Sequence, residues 1–329
     1  MNDFAASPAT AAGRPITYYG QPSLKASLWG WLVSAYIFVA GLGGASQIIA
    51  ASADLAGSRA LAPIVRRGRY IAFGAVLAGG PLLIIDLHTP RRFYNMLRIF
   101  RKTSPMSIGT WVLMSFGSAS AALAAAQFAK DRGYVPGRRG EMAIRLLQVA
   151  AALAGMPMTT YTGALLSATS TPLWAAAPRR IAAAFGASAM ASGAAALRLG
   201  EQSGGAVDGA SRTLGRISFA AGAVELALLL SLRQRFREQG VDGVFRETGW
   251  GLAYDLGAVG IGVVAPVLHD APSVARREPA PKPSPAIVFA ILAGGFLLRH
   301  ILLRAGNISA KRPADYFRFA GKPVPRALP

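Results

Sequence analysis

The sequence has 329 residues, of which 53% are hydrophobic and only 15% are charged, and its formal net charge is +20. Soluble domains carry about a quarter charged residues, so this composition excludes an ordinary soluble protein and indicates membrane helices. The basic residues lie between apolar blocks, which argues against nucleic acid as the partner and favours anionic membrane lipid. Because Cys is absent, disulfides and Cys-ligated iron–sulfur clusters are excluded within this sequence.

Eight apolar blocks follow one another along the chain, each near the ~20 residues that a helix needs to cross the hydrocarbon core. They lack the two-residue alternation of strands. The sequence therefore predicts an all-α polytopic membrane protein, and the short connections favour two packed four-helix bundles. The predicted spans are 28–52, 70–88, 108–129, 143–169, 181–199, 213–232, 250–268 and 286–304.

These spans divide the chain into four parts: an N-terminal extramembrane segment, a first bundle, a second bundle and a tail, at 1–27, 28–169, 170–304 and 305–329. An even number of spans places both termini on one side of the membrane, called side A here, and the opposite side is side B. Lys and Arg are abundant on both sides, so the positive-inside rule gives no orientation. The N-terminal residues lack the order of a cleaved signal peptide, and the first span is expected to direct insertion.

Ionisable groups at membrane depth cost several kcal/mol unless they face protein or water, so they are the first candidates for function. Glu225 lies near the middle of span six and needs either protonation or a buried partner. Asp255 and Arg299 both fall about five residues in from side A, at similar depth on the helix rise of ~1.5 Å per residue. These three residues are candidates for a proton path. The alternative for Asp255 and Arg299 is a purely structural salt bridge.

Further polar groups gather in the side-A half of the predicted bundles. Asp86 and His88 end span two, Tyr36 lies in span one and Tyr161 in span four. Each has a simpler alternative: Tyr36 as an interfacial aromatic, Tyr161 as part of a packing kink, and Asp86 as a partner of basic residues in its own loop. The side-B half offers few protonatable groups, which argues against pumping across the whole membrane.

The loop after span two is unusually rich in basic and aromatic residues for a simple turn. It lies in DLHTPRRFYNMLRIFRKTSPMSIGTW, residues 86–111. Its candidates for docking a partner or lipid headgroups are Arg91, Arg92, Phe93, Tyr94, Arg98, Arg101 and Lys102. No arrangement of catalytic residues, phosphate-binding loop or metal site is apparent in the sequence.

Four segments together resemble the NrfD/PsrC family, the membrane subunits of polysulfide, nitrite and related respiratory oxidoreductases. They are WGWLVSAYIFVAGLGGAS (29–46), DLHTPRRFYNMLRIFRKTSPMSIGTW (86–111), YTGALLSATSTPLW (161–174) and LLRHILLRAGNIS (297–309). The most specific piece is D-L-x-x-P-x-R-F-x-N-M-L followed by T-S-P-M-S. The match runs in order over nearly the whole chain.

The resemblance implies an eight-helix protein of the inner (cytoplasmic) membrane that binds a quinone, menaquinone or ubiquinone, and holds no haem or iron–sulfur cluster of its own. It implies a multi-cluster, ferredoxin-like iron–sulfur partner and a catalytic subunit such as a molybdopterin enzyme. The quinone pocket is expected on side A, with Tyr36, Asp86, His88 and Tyr161 as its candidate residues. The chain would carry the quinone site but no catalytic centre.

Two alternatives from other classes stay open. The first is an ion- or proton-translocating, transporter-like subunit that uses Glu225, Asp255 and Arg299 without redox chemistry; transporter sites lie near the midplane, where only Glu225 is expected. The second is a haem b cytochrome, with His88 and His300 as axial ligands on opposite helices.

Overall fold

The structure is a computed structural model that describes residues 22, 24–87, 89–134, 136–200, 208–276 and 284–319. Eight of its helices are long and apolar enough to cross a membrane, and the described residues contain no strand. The predicted all-α polytopic fold is therefore confirmed. The helices are α1 Trp31–Leu55, α2 Ala62–Asp86, α3 Pro105–Asp131, α4 Arg138–Ser167, α5 Pro178–Leu199, α6 Asp208–Glu238, α7 Trp250–Ala275 and α8 Pro285–Ala310.

Most of these helices are longer than the apolar blocks from which they were predicted. The second helix begins at Ala62, where the sequence predicted residue 70, and α8 continues to Ala310, where the sequence predicted residue 304. The added turns contain Arg, Asp and Glu, which form helix readily once they leave the hydrocarbon. Hydropathy marks only the part of a helix that lies within lipid.

Local chemistry explains several helix starts. Proline occupies the first position of α3, α5 and α8, where its missing N–H and fixed φ cost nothing. Ser104 caps α3, because its side chain accepts a hydrogen bond from the backbone N–H of Ser107.

Helix α7 changes its winding within the membrane. Residues Ala253–Val264 adopt the wider π form, between short α-helical segments on either side. Gly262 of this segment lies against Gly294 of α8, where an added Cβ would come within 2.6 Å of the neighbouring Cα. Two glycines therefore let α7 and α8 approach backbone to backbone, which is typical of packed membrane helices.

Helix α1 lies between the two halves of the protein. It contacts α2 and α4 of the first half and α5 and α8 of the second. The glycine run of α1 permits this packing: a Cβ on Gly43 would lie 2.5 Å from Ala75 of α2, and one on Gly44 would lie 2.6 Å from the Gly155 carbonyl of α4. Because α1 joins both halves, the division into two four-helix bundles stays a prediction.

Short helices close the side-A surface between the long ones. They are Pro90–Arg92, Tyr94–Arg98, Pro172–Ala175, Gly243–Glu247 and Pro313–Phe319. Trp174 anchors this layer, since it is buried and its indole N–H donates to the Leu302 carbonyl over 2.8 Å. The side-A ends of α1 and α8 are also tied, because Ser27 donates to Asn307 over 2.7 Å.

Candidate functional site

A narrow apolar crevice lies between the helices of the first half, and the ring of Tyr36 of α1 lines it. Tyr36 is buried, and its ring packs where Gly79 of α2 has no side chain. The crevice lies between α1, α2, α3 and α4 and is too narrow to hold a water molecule. Its lining surface is apolar, with Ala40, Ala75, Val76, Gly79, Leu113, Phe116 and Met158 beside the Tyr36 ring.

Tyr161 of α4 lies close enough to Tyr36 for an electrostatic interaction. Its hydroxyl donates to the Pro105 carbonyl at the start of α3, and its ring occupies the place that a side chain on Gly109 would fill. Tyr161 also lines a cavity of about 340 Å³ at the side-A mouth, together with Lys102, Thr103, Pro105, Ile108, Ala164, Leu165 and Ala168. The two tyrosines predicted for the site therefore come together.

Asp86 is the last residue of α2 and is partly buried. It follows Gly79 by two helical turns, so it lies on the same side of α2 as the crevice, roughly 10 Å nearer to side A. His88 lies outside the described residues. Tyr36, Asp86 and Tyr161 thus lie on three helices of the first half, of which α1 contacts both α2 and α4, and their role in quinone binding stays a prediction.

The basic loop that follows Asp86 is exposed and is held in place by serines of the T-S-P-M-S motif. The Ser107 hydroxyl accepts from the Arg101 backbone N–H over 2.9 Å and donates to the Ile99 carbonyl over 3.2 Å. All seven predicted docking residues are exposed: Arg91, Arg92, Phe93, Tyr94, Arg98, Arg101 and Lys102. The loop presents cations and aromatic rings beside the cavity that Tyr161 lines.

A buried charged cluster occupies the second half. Arg299 of α8 is 1% exposed and donates to the Ser188 hydroxyl over 3.1 Å, to the Gly295 carbonyl over 2.7 Å and to the Phe185 carbonyl over 3.1 Å. Glu225 of α6 is also buried and interacts with Ser188 and with the charge of Arg299. The predicted need of Glu225 for a buried partner is therefore met.

The predicted pairing of Asp255 with Arg299 is wrong. Asp255 is half-exposed, and its carboxylate lies 3.8 Å from Nε of Arg233 on α6. The error came from the helix end: because α8 continues to Ala310, Arg299 lies near the middle of its helix, at the level of Glu225. Asp255 remains close to side A.

A family model described as "Polysulphide reductase, NrfD" matches residues 22–310. The chain belongs to the NrfD family. Members of this family are membrane subunits of respiratory oxidoreductase complexes, and they generally pair with iron–sulfur and molybdopterin catalytic subunits. No individual curated protein matches the chain.

In this NrfD chain Tyr254 is a site residue that the sequence did not single out. It is buried, its hydroxyl donates to the Leu229 carbonyl over 2.9 Å, and it interacts with the charges of Arg233, Asp255 and Glu225. Tyr254 therefore lies between the half-exposed pair near side A and the buried cluster. A tyrosine is uncharged, so it is not conspicuous within an apolar span of the sequence. Only its contacts in the structure distinguish it from other aromatic residues of the spans.

The side-B half of this NrfD protein is more polar than the sequence suggested. Arg198 of α5 and Asp270 of α7 form a salt bridge of 2.6 Å in which both side chains are 1% exposed. His269 contacts the same carboxylate over 3.0 Å. The sequence predicted that span seven ends at residue 268, whereas α7 continues to Ala275 and includes Asp270 and His269.

His300 of α8 lies on side A, where its ring is 3.1 Å from the Ser34 hydroxyl and near Trp250. It borders a cavity of about 350 Å³ together with Trp250, Arg304, Asn307, Ile308 and Lys311. The haem alternative also requires His88, which lies outside the described residues, so that interpretation stays a prediction.

Proposed function

We propose that this chain is the quinone- or quinol-reactive membrane anchor of a respiratory oxidoreductase complex in the cytoplasmic membrane. It would exchange electrons with a multi-cluster, ferredoxin-like iron–sulfur subunit, itself attached to a catalytic subunit such as a molybdopterin enzyme. The observation that carries the proposal is the position of Tyr161 in a side-A cavity beside an exposed basic loop, with Tyr36 of the neighbouring α1 close enough for an electrostatic interaction.

The chemistry of the lining fits menaquinone or ubiquinone. Ligand sites of about 300–1,000 Å³ are predominantly apolar with a few placed polar groups, and the side-A cavity of about 340 Å³ is in this range. The lining of this cavity is mainly apolar and includes the phenol of Tyr161, and the crevice beside Tyr36 is lined by apolar surface. Isoprenoid chains are apolar, and ring oxygens require hydrogen-bond donors.

The proposed reaction requires this protein to transfer protons, whereas the electrons pass to a partner subunit. A bound quinol supplies two electrons and two protons when it is oxidised to the quinone, and the reverse reaction consumes them. Tyr36 and Tyr161 would hold the ring oxygens by hydrogen bonds, while Asp86 and His88 would transfer protons to water on side A. Since this sequence has no Cys, the electrons pass to clusters on the partner.

The exposed loop suits the docking of that partner. Its cations, Arg91, Arg92, Arg98, Arg101 and Lys102, lie on the same side as the cavity, and Phe93 and Tyr94 add exposed aromatic surface. Charged patches at the rim of an interface mainly steer association and set orientation. A partner bound here would lie beside the mouth of the site.

Conservative tyrosine variants in the purified complex test the proposal. We expect Tyr36→Phe and Tyr161→Phe to lower quinol-linked turnover by about tenfold or more, because each removes one hydroxyl and no packing volume. Activity of the catalytic subunit with a soluble dye should be unchanged. Tyr70→Phe is the matched control, since its hydroxyl bonds Asp131 at the other end of the protein. Equal loss of both activities, or no loss of either, would contradict the proposal.

A second candidate function is proton transfer through the second half. It is supported by the burial of Glu225, Arg299 and Ser188 in one cluster, with Tyr254 between this cluster and Asp255. In proteoliposomes, Glu225→Gln should then reduce the protons moved per electron while quinol turnover continues. An unchanged ratio would restrict Glu225 to a structural role. Proton movement without any quinol-linked turnover would favour the transporter-like alternative.

A further inference from the structure

A cavity lies on side B, at the opposite end of the first half from the proposed quinone site. Its volume is about 700 Å³, and it is enclosed by the ends of α1 and α3 and the beginnings of α2 and α4. Its lining residues are Ala53, Asp54, Gly57, Ser58, Arg59, Ala62, Pro63, Val65, Arg66, Arg67, Arg69, Gln127, Lys130, Glu141, Ile144 and Arg145.

This lining has a strong excess of positive charge. It contains six cations and two carboxylates. The carboxylate of Glu141 forms a salt bridge of 2.7 Å with Lys130. Among the residues that the structure describes, no carboxylate forms a salt bridge with Arg59, Arg67 or Arg145. Three guanidinium groups are therefore available to an anion.

The floor of the cavity is a buried arginine with donors to spare. Arg69 is 3% exposed, and its Nε and Nη1 donate to Gln148 over 2.8 Å and to Gln127 over 2.9 Å. Its Nη2 has Asp54 at 3.8 Å, which is too long for a hydrogen bond. The Gln148 amide nitrogen is buried and, within the described part of the chain, has no acceptor. The two glutamines fix a guanidinium whose remaining donors require an acceptor.

Clustered arginines that lack carboxylates match the phosphate group. The guanidinium presents a planar fork of donors that binds two oxygens at once, and it is favoured in phosphate recognition. The first turn of α2 also borders the cavity at Ala62 and Pro63, directly after the short helix Arg59–Leu61, and the helix dipole there favours an anion. Metal cations are excluded by the same charge.

The surroundings distinguish a lipid from free phosphate. Exposed apolar side chains flank the cavity on α3 and α4: Phe128 is 53% exposed, Met142 57% and Leu146 64%. These side chains are next to or one turn from Gln127, Glu141 and Arg145 of the cavity lining, so exposed apolar surface adjoins the arginines. Basic pockets between membrane helices bind anionic headgroups.

We propose that this side-B cavity binds the phosphate group of an anionic phospholipid, with Arg59, Arg67, Arg69 and Arg145 as headgroup ligands. Its acyl chains lie along Phe128, Met142 and Leu146. The site is separate from the quinone proposal, because it lies at the other end of α1–α4 and shares no residue with the tyrosine pair. It would secure four helix ends at one membrane surface.

Native mass spectrometry of the purified full-length chain tests this site. The chain is exchanged into micelles that contain phosphatidylglycerol or cardiolipin in one arm, phosphatidylcholine in the second, and inorganic pyrophosphate without added lipid in the third. We expect retained anionic lipid in the first arm and none in the second. Arg59→Gln with Arg145→Gln should weaken retention by about tenfold or more, given the contribution of each Arg near a charged headgroup.

The matched control is Arg138→Gln with Arg139→Gln, which removes two exposed cations from the same side outside the cavity. It should retain lipid as the unaltered chain does. Pyrophosphate bound in the third arm would confirm that the lining recognises phosphate, whereas pyrophosphate bound in that arm with no anionic lipid retained in the first would assign the site to a soluble phosphate and overturn the lipid proposal. Equal retention of phosphatidylglycerol and phosphatidylcholine by the unaltered chain would overturn the proposal, whether or not the variants fold. So would equal losses in the two double variants.

Discussion

The two halves of this protein place their polar groups in different ways. In the first half, α1–α4, cavities open on side A and side B, and the polar groups that line them include tyrosines, an arginine held by glutamines, and exposed arginines. In the second half, α5–α8, the charges lie inside the protein: Arg198 pairs with Asp270, and Glu225 and Arg299 both interact with Ser188.

The first half is therefore suited to ligand binding, whereas the second half holds buried charges that interact with other residues inside the protein. A cavity with donors that lack acceptors is suited to a ligand, because the ligand completes the hydrogen bonds. A buried ion pair already has its partner, and removal of one member leaves an uncompensated charge in an apolar interior. The first half is therefore expected to respond to ligands and partners, and the second to respond to loss of single charges.

The largest expected effect is on stability and concerns Asp270 of the second half. Asp270→Ala leaves Arg198 buried without its carboxylate, so we expect a loss of about 3–5 kcal/mol. Asp131→Ala in the first half removes a pair with Arg66, whose side chain is 60% exposed, and should cost about 1 kcal/mol or less. Thermal unfolding of the purified chain in detergent measures both.

A double replacement sharpens the same comparison. Arg198→Met with Asp270→Leu removes both charges and should recover much of the stability lost in Asp270→Ala, since a packed apolar pair can substitute for a buried salt bridge. If Asp270→Ala and Asp131→Ala lowered the unfolding temperature equally, the proposed contrast between the halves would be wrong.

The next effect concerns partner docking on side A. Arg91→Glu with Arg92→Glu should release the iron–sulfur subunit from membranes, because two reversals turn attraction into repulsion at the rim of the interface. Arg179→Glu with Arg237→Glu is the matched change, since both residues are exposed on side A in the second half. Retention of the partner, followed by immunoblotting of washed membranes, should fall several-fold for the first pair only.

Full retention of the partner subunit by the Arg91/Arg92 variant would contradict the docking role of the loop. Release by the Arg179/Arg237 variant to the same extent would spread the interface over both halves. Either outcome would leave the quinone site testable through the tyrosine variants, because the dye-linked and quinol-linked activities are measured on the assembled complex.

The number of helices and their order were predictable from hydropathy, because apolar blocks of sufficient length have one stable form in lipid. The ends were not. Residues such as Arg66 and Arg69 continue α2 beyond the apolar block, and the same extension of α8 placed Arg299 at the wrong depth. Depth comparisons between charged residues fail when each helix end is uncertain by a turn or more.

The site was predictable where a residue type alone was unusual for its surroundings. Glu225 and Arg299 stood out as charges inside apolar spans, and the motif around Asp86 indicated the family. Tyr254 and the partnership of Arg69 with Gln127 and Gln148 did not stand out, since uncharged polar residues are common in helices. Their roles depend on contacts between helices that are distant in sequence.

The smallest expected effect is a pH dependence of the tail helix, Pro313–Phe319, on the side-A surface. Arg312 donates two hydrogen bonds of 2.7 Å to Glu247 and so holds the pKa of that carboxyl below its ordinary value of 4.5. A lowered folded-state pKa stabilises the pair above the ordinary pKa and loses this contribution as pH falls through the lowered value. Amide-exchange protection of 313–319 should therefore decline only below pH 4.5.

Asp315 of the same helix opposes this trend. Burial raises its pKa above 3.8, against the effect of Arg312, so its protonation strengthens docking as pH falls. Glu247→Gln should abolish the decline in protection and keep the gain, whereas Asp315→Asn should do the reverse. Arg318 also acts on Glu247. A decline that persists in Glu247→Gln would assign the docking of the tail to contacts other than the Arg312 pair.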